Sequence, residues 1–278
     1  MRAEFEDAYR DLPAGAARLL RLLGLHPGED VGSRAAAVLA DRPEDEVRDL
    51  LSTLARRGLL SDAGGGRFTL PGASHDHARE LAERDEPEPE REAALRRVID
   101  HYLAGRGGPR AEGLALLERE RWTEAAGVLE DALARAERDG DPRDVLMARH
   151  DLGRALTETG EPDRALELLG PLPDAFAALP EPDDYHRARA LTGLGQAYLR
   201  LRRPVTAVNL FGQALEIMRA AAAVERQGDL FVHLADASHL RGDTAAERAA
   251  LDRAAELYAS VPSSRARAVA GRRAAPAS

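Results

Sequence analysis

Apolar positions recur at intervals of three and four along almost the whole chain, the spacing of helices that each bury one face. Leu12, Ala16, Leu19, Leu20, Leu22 and Leu23 begin the series, and Gly24 with Pro27 ends that first helix. Ser33 is placed to cap a short helix over 34–40. Pro43 suits a first helical turn, where Glu44, Asp45 and Glu46 complement the positive helix end. Val47, Leu50, Leu51 and Leu54 then form one apolar face, closed by Gly58. After it come Leu59-Leu60-Ser61, a run of three glycines at 64–66, and Arg67-Phe68-Thr69-Leu70, two short apolar segments across a turn. Three helices followed by a small hairpin is the winged-helix pattern; a plain helical cap with a loose loop is the alternative.

Residues 84–92 (RDEPEPERE) read as a charged, proline-bearing connector, solvated and not packed. An amphipathic helix resumes over 93–104 through Leu95, Val98, Ile99 and Tyr102, and 105–109 breaks it. From about residue 110 the chain repeats itself. Leu191, Leu194-Gly195, Tyr198, Ala207, Phe211 and Ala214 reproduce most of the pattern of a tetratricopeptide hairpin. The same frame takes in Gly113, Leu116, Ala125, Leu129 and Ala132, then Leu152-Gly153, Leu156, Ala165 and Leu169, and finally Leu234-Ala235, Leu251 and Ala254. Gly113, Gly153, Gly195 and Ala235 lie 40, 42 and 40 residues apart. A small residue lets two helices approach closely while a large apolar one fills the adjoining hole, which is why the pair recurs in register. The spacing exceeds the usual repeat of about 34 residues. Glu247 stands at a normally small position, and Pro171 and Pro173 cut short the second helix of the second hairpin. The predicted fold is therefore all-α. A winged-helix-like unit over 1–83 and a charged connector with its linking helix over 84–108 precede an α-solenoid of about four tetratricopeptide-type hairpins over 109–261. An Arg/Ala/Ser-rich tail over 262–278 is expected to be disordered.

Composition narrows the chemistry. Aromatic residues make up 4%, charged residues 31%, and Cys is absent, which excludes disulfides, thiolate metal sites and Cys nucleophiles. All 39 basic residues are Arg, so the chain has no amine for a Schiff base or a phosphate-binding P-loop. The bias toward Arg and Ala suggests a high-GC bacterial genome. The acidic first ten residues do not form a signal peptide, no apolar run approaches a membrane span, and a cytoplasmic, membrane-free protein is expected. A net charge of −9 argues against non-specific nucleic-acid binding.

The stretch LLRLLGLHPGEDVGSRAAAVLA, followed by LLSTLARRGLL, RFTL, SHDHARELA and AALRRVIDHYL, resembles the winged-helix segment of actinobacterial NB-ARC (STAND-type) regulatory ATPases. In that family the segment follows the nucleotide-binding core and precedes tetratricopeptide repeats, so the resemblance covers nearly the whole chain as the later part of such a protein. It implies that Ser74-His75-Asp76 stands where the family carries a Met-His-Asp motif whose His reaches nucleotide phosphate. Ser replaces Met here, His77-Ala78 replace the usual Leu-Leu, and Arg79 matches. With no P-loop in the chain, His75 and Asp76 are either a relic of nucleotide sensing or serve a separate ATPase chain.

Other motifs give plainer readings. His75 and His77 fall on different sides of a helix and predict no metal site. Arg241-Gly242-Asp243 is ordinary turn chemistry, and the single Trp122 is expected to pack between helices. No catalytic constellation and no cofactor site stands out. The helix over 45–57, which would be the recognition helix of a DNA-binding unit, starts acidic, and residues 1–80 hold 11 Arg against 14 Asp and Glu. The expected function is a non-catalytic adaptor or regulatory protein that takes a protein or peptide partner on the first helices of the repeats. Its groove residues would be His150, Arg154, Arg189, Thr192, Gln196, Asp236 and His239. A DNA-binding regulator with ligand-sensing repeats, or an accessory subunit of an NB-ARC ATPase, is the alternative. The purified protein is expected to hydrolyse neither ATP nor GTP. Turnover that survives repurification and disappears on His75→Ala would contradict this.

Overall fold

A computed structural model describes residues 2–261, 263 and 265–274, and among them helix dominates. The chain divides into two compact units, residues 1–119 and 120–278.

The first unit comprises α1 (Arg2–Arg10), α2 (Ala14–Leu23), β1 (Asp30–Gly32), α3 (Ser33–Ala40), α4 (Glu44–Arg56), β2 (Ser61–Gly64), β3 (Arg67–Thr69), α5 (Gly72–Asp85), α6 (Glu88–Leu103) and α7 (Pro109–Glu118). The expected hairpin is present as β2 and β3, turned by Gly64, Gly65 and Gly66, which all hold positive φ where a side chain would be strained. Leu59 and Leu60 belong to the core ahead of the strand and not to the strand itself. A third strand, β1, pairs antiparallel with β3 and sets buried Val31 opposite buried Phe68, giving the order β1-β3-β2. Three residues ending in Gly carry no alternation, so this strand leaves no signal in the sequence. Leu19, Leu20, Leu22 and Leu23 of α2, Leu39 of α3 and Val47, Leu51 and Leu54 of α4 form the core with Ala94, Val98, Ile99 and Tyr102 of α6 and Ala115 of α7. Because α5, α6 and α7 share this core, the first unit continues past residues 83 and 108, and the division falls inside the first repeat frame.

Several local expectations change. Ser33 is the first residue of α3, with Gly32 at the cap, and its hydroxyl donates to the Glu44 carboxylate at 2.9 Å. The stretch expected as a solvated connector is almost wholly helical, interrupted only at Glu86 and Pro87. Glu86 is buried and accepts from Arg21 through Nε at 2.8 Å and Nη2 at 2.6 Å. The prolines that suggested a linker occupy the cap and first turn of α6, where proline is compatible with a helix. Arg97 of α6 donates to the last carbonyls of α3, at Val38 (3.1 Å) and Leu39 (2.9 Å).

The second unit is a run of antiparallel helices: α8 (Trp122–Asp139), α9 (Pro142–Thr159), α10 (Pro162–Leu169), α11 (Leu172–Ala177), α12 (Asp184–Arg200), α13 (Pro204–Ala220), α14 (Val224–Leu240), α15 (Thr244–Ser260) and α16 (Ala266–Ala274). This is the α-solenoid of helical hairpins, with α9–α10, α12–α13 and α14–α15 as successive pairs. Asp141, Asp183 and Asp243 cap α9, α12 and α15, each accepting from the backbone N–H three residues on at 2.9–3.0 Å. Asp243 in the Arg-Gly-Asp triplet is therefore a helix cap. The second helix of that hairpin does end before Pro171, and a separate short helix, α11, follows with Phe176 fully buried. Of the tail, Pro262, Ser264 and 275–278 lie outside the described residues, but α16 corrects the expectation of disorder. Val269 is buried, Arg265 pairs with Asp229, and Arg272 meets Asp236 at 2.7 Å. A composition that looked disordered folds because its arginines find carboxylates on α14.

The repeat register has a physical marker. A Cβ on Gly153 would come within 2.6 Å of the Leu169 side chain, and one on Gly195 within 2.3 Å of the Phe211 ring. The turns keep the same register, since Glu120, Gly160, Arg202 and Gly242 all have positive φ. Arg202 is exposed there at φ 54, a left-handed conformation that costs a residue with a Cβ about 1–2 kcal/mol. Arg202→Gly should therefore stabilise the protein by a few tenths to about 1 kcal/mol, after allowing for the freer unfolded chain. Gly195→Ala should destabilise it by about 1–3 kcal/mol through overpacking against Phe211. Urea denaturation of both variants checks the pair, and equal effects at the two sites would contradict the register.

Candidate functional site

The first helices of the hairpins, α9, α12 and α14, bury their small and apolar residues against α10, α13 and α15. Their remaining positions form a polar face. On α9, Arg154 is half-buried at the surface, while His150, one turn earlier, is 2% exposed and lies beneath it. His150 is thus not available to a groove ligand, because the bulk of Met147, Ala148 and Leu152 carries this part of α9 inward. Burial, reinforced by the nearby Arg189 and Arg154 cations, lowers its pKa to about 4 despite the hydrogen bond to the Asp151 carboxylate at 3.3 Å. Arg154 of α9 and Arg189 of α12 therefore both lie within electrostatic reach of the His150 ring.

Farther along, Gln196 of α12 donates its amide to Nε2 of His233 on α14 at 3.1 Å, and the His233 ring stacks on Phe211 with centroids 5.4 Å apart. His233 lies outside the expected set; its signal is its place one turn before Asp236. The other expected residues are engaged locally. Thr192 donates its hydroxyl to the Ala188 carbonyl at 2.8 Å, Asp236 accepts from Arg272, and His239 meets Glu247 of α15 at 3.1 Å near the hairpin turn. Burial pushes the Asp236 carboxyl up, but the His233 hydrogen bond and the Arg272 cation bring it net below its ordinary value. Of the expected residues, the structure joins Gln196 to His233 by a hydrogen bond and leaves Arg154 and Arg189 on adjacent helices, both within electrostatic reach of His150.

In the first unit, Ser74-His75-Asp76 lies in the first turn of α5, with His75 and Asp76 both buried. His75 donates from Nε2 to the carbonyl of His26 at 3.0 Å, and Arg79 donates from Nε to that of Gly24 at 3.0 Å. These two side chains bind α5 to the segment that leaves α2. A Cβ on Gly24 would lie 2.2 Å from the Arg79 backbone nitrogen, so the two elements are as close as backbones allow. His26 is held in turn: the Tyr102 hydroxyl donates to its Nε2 at 2.5 Å and its Nδ1 donates to the Gly28 carbonyl at 2.5 Å. That is the neutral ring, consistent with burial lowering the pKa of His26, and of His75 with the help of Arg79, to about 4. Among the described residues, no group of three or more His, Asp and Glu is gathered to hold a metal ion, and no helix is long and apolar enough to cross a membrane.

Comparison with known proteins agrees with the repeat frame. Residues 145–170 match a family model described as tetratricopeptide repeat. Over 253 residues the chain is 32% identical to the regulatory protein AfsR of Streptomyces griseus, covering 82% of this chain and 26% of that protein. Over 110 residues it is 41% identical to the regulatory protein AfsR of Streptomyces coelicolor, covering 38% of this chain and 11% of that one. The chain therefore spans about a quarter or less of the length of these relatives. Among solved structures, a putative kinesin light chain of Podosopora anserina with nearly identical TPR-like repeats aligns with a TM-score of 0.46 at 20% identity, over 62% of this chain and 88% of that one. A signal transduction ATPase with numerous domains and a tetratricopeptide repeat sensor, from Pyrococcus horikoshii, aligns with a TM-score of 0.34 at 18% identity, over 92% of this chain and 46% of that one.

His26, His75 and His150 are buried and neutral at pH 7, with pKa values of about 4 against an ordinary histidine value of 6.5. The unfolded chain then binds more protons than the folded one between those limits. The stability they contribute is complete above about pH 6.5 and is lost as pH falls toward 4, on the order of 1–2 kcal/mol per ring by pH 5. Urea midpoints measured at pH 7 and pH 5 should show the fall, and His150→Gln should flatten it; an unchanged slope would contradict the buried neutral ring.

Proposed function

We propose that this chain is the protein-binding part of a regulatory protein, taking a peptide or a helix of its partner along the first helices of its repeats. The observation that carries this reading is the polar face of the first helices α9, α12 and α14, where Gln196 is joined to His233 and the Arg154 and Arg189 cations both act on one buried histidine. Arginines on this face suit a carboxylate on the partner, because Arg presents a planar fork of donors and keeps its charge near neutral pH. The similarity to regulatory proteins of Streptomyces supports a regulatory setting.

We read the first unit as winged-helix-like and as a structural or regulatory element of this module. Two observations disfavour DNA reading by α4. Its first turn carries Glu44, Asp45 and Glu46, and the nearby cations Arg48 and Arg42 are paired with Glu44 and Glu46. The internal hydrogen bonds of His75 and Arg79 support a clamping role for the Ser-His-Asp motif over one in nucleotide sensing.

Capture from the native host, with the bound proteins identified by mass spectrometry, tests the reading. Arg154→Ala with Arg189→Ala should weaken capture of the specific partner by about tenfold or more, since a shielded charge-assisted contact contributes about 1.5–3 kcal/mol. Circular dichroism should stay unchanged. Arg56→Ala with Arg57→Ala, exposed on the first unit, should leave capture intact. Retention by the repeat variant with loss in the Arg56/Arg57 variant would move the site to the first unit.

A further inference from the structure

The first unit contains a cavity of about 410 Å³ whose walls come from four separate parts of the chain: the segment after α2, the start of α3, β3, and the loop between α6 and α7 with the first turn of α7. Its charge is lopsided. Arg34, Arg67, Arg106 and Arg110 line it, against one carboxylate, Asp30. Asp30 is already engaged, accepting from Arg110 at 3.1 Å and from the Thr69 hydroxyl at 2.6 Å. Arg34, Arg67 and Arg106 are exposed, and none of them pairs with a carboxylate among the described residues. Arg34 lies within the electrostatic reach of Glu44, whose own hydrogen bonds go to Ser33 and Arg48. Like charges converging on one concavity repel one another, and elsewhere in this chain the arginines mostly find carboxylates. Three guanidinium groups around one hollow give it a positive potential that attracts an anion.

The backbone adds to the same field. Gly32 and Gly108 stand at the caps of α3 and α7, and neither helix start has a side-chain cap. The Ser33 N–H donates to the Gly66 carbonyl at 2.9 Å, while Gly32, Arg34 and Ala35 at the start of α3 and Gly108, Arg110 and Ala111 at the start of α7 all line the cavity. The loop Gly105-Arg106-Gly107-Gly108 lies directly on Tyr102: a Cβ on Gly107 would sit 2.3 Å from that ring. The floor is rigid, because the Tyr102 hydroxyl is fixed on His26 and His26 on Gly28. The positive potential reaches the buried groups beneath, with Arg110 and Arg67 disfavouring the charged form of His26 and Arg106 and Arg34 that of His101.

We propose that this cavity binds a small phosphate-bearing anion, one that presents two or more negative charges to Arg34, Arg67 and Arg106. A single carboxylate would leave most of the cationic charge uncompensated, whereas a phosphate or diphosphate group offers several acceptor oxygens to the guanidinium forks. The volume is that of a small-ligand site. Duplex DNA fits the surroundings less well, because the acidic first turn of α4 begins at Glu44, which the Arg34 charge already reaches. The site uses none of Arg154, Arg189, Gln196 and His233, so the proposal stands apart from the proposed protein-binding face.

Isothermal titration calorimetry of the full chain with inorganic pyrophosphate is the test, with a short DNA duplex as a second titrant. Pyrophosphate should bind at sub-millimolar concentration and raise the melting temperature. Arg67→Gln with Arg106→Gln should weaken binding at least about tenfold, as expected for losing charge-assisted hydrogen bonds. These side chains are exposed, so the variant should fold, which circular dichroism checks. Arg56→Gln with Arg57→Gln, exposed and outside the cavity, should bind as the parent does. The proposal is overturned by an absence of binding at millimolar pyrophosphate, or by binding that the cavity variant does not diminish. Duplex binding that depends on Arg67 and Arg106 while pyrophosphate does not bind would also overturn it, assigning the arginines to nucleic acid.

Discussion

How closely two helices can cross governs the second unit. At Gly153 against Leu169 and at Gly195 against Phe211, the missing side chain of one helix is the space occupied by the large side chain of the next. Each hairpin closes there, and the polar face follows from that closure. Once α9 and α12 present their small residues to α10 and α13, Arg154, Arg189 and Gln196 are left on the remaining side. Gly228 against Tyr258 makes a comparable approach in the last pair, with Ala235 at the register position itself. A helix stack of this kind needs little aromatic mass, which suits a chain with only 4% aromatic residues.

The first unit adds buried polar ties to an apolar core shared by its helices. Arg21 and Glu86 tie α2 to the junction of α5 and α6, and Arg97 closes the end of α3. His75 and Arg79 bind the turn after α2. Such pairs add little stability when compared with a well-packed apolar alternative, but losing one partner leaves a buried charge or donor unsatisfied. They therefore select one arrangement of the helices over others. They also give His75, in a motif that resembles a nucleotide sensor, a structural task within its own chain.

The two units also differ in how they use arginine. In the repeats it is distributed along helix surfaces and mostly paired across or along helices, as at Arg164 with Glu161 and Glu130. In the first unit three arginines line one hollow without such carboxylate partners among the described residues. What sets these three apart from an ordinary charged surface is that they line one concavity.

Much of the architecture is legible in the residues alone. The helical spacing of Leu12 to Leu23, the glycine turn at 64–66 and the recurrence of Gly153 and Gly195 are local or periodic signals, and a local rule suffices to read them. The same rules misjudge the residues whose state depends on distant partners. Glu86 reads as part of a solvated linker until Arg21 meets it, and the Arg-rich end reads as disordered until Asp229 and Asp236 meet it. Periodicity places His150 on the ligand face, but a helix has no sharp edge between its buried and exposed sides, and the packing of Met147 and Leu152 turns that ring inward. The pairing of His233 with Gln196, and the cavity around Arg34, Arg67 and Arg106, join residues far apart in sequence, and folding alone brings them together. Local spacing dictates which segments are helices and in what register they pair. Which charges are neutralised is left to the packing of distant segments, because a charge finds its partner by distance in space and not by distance along the chain.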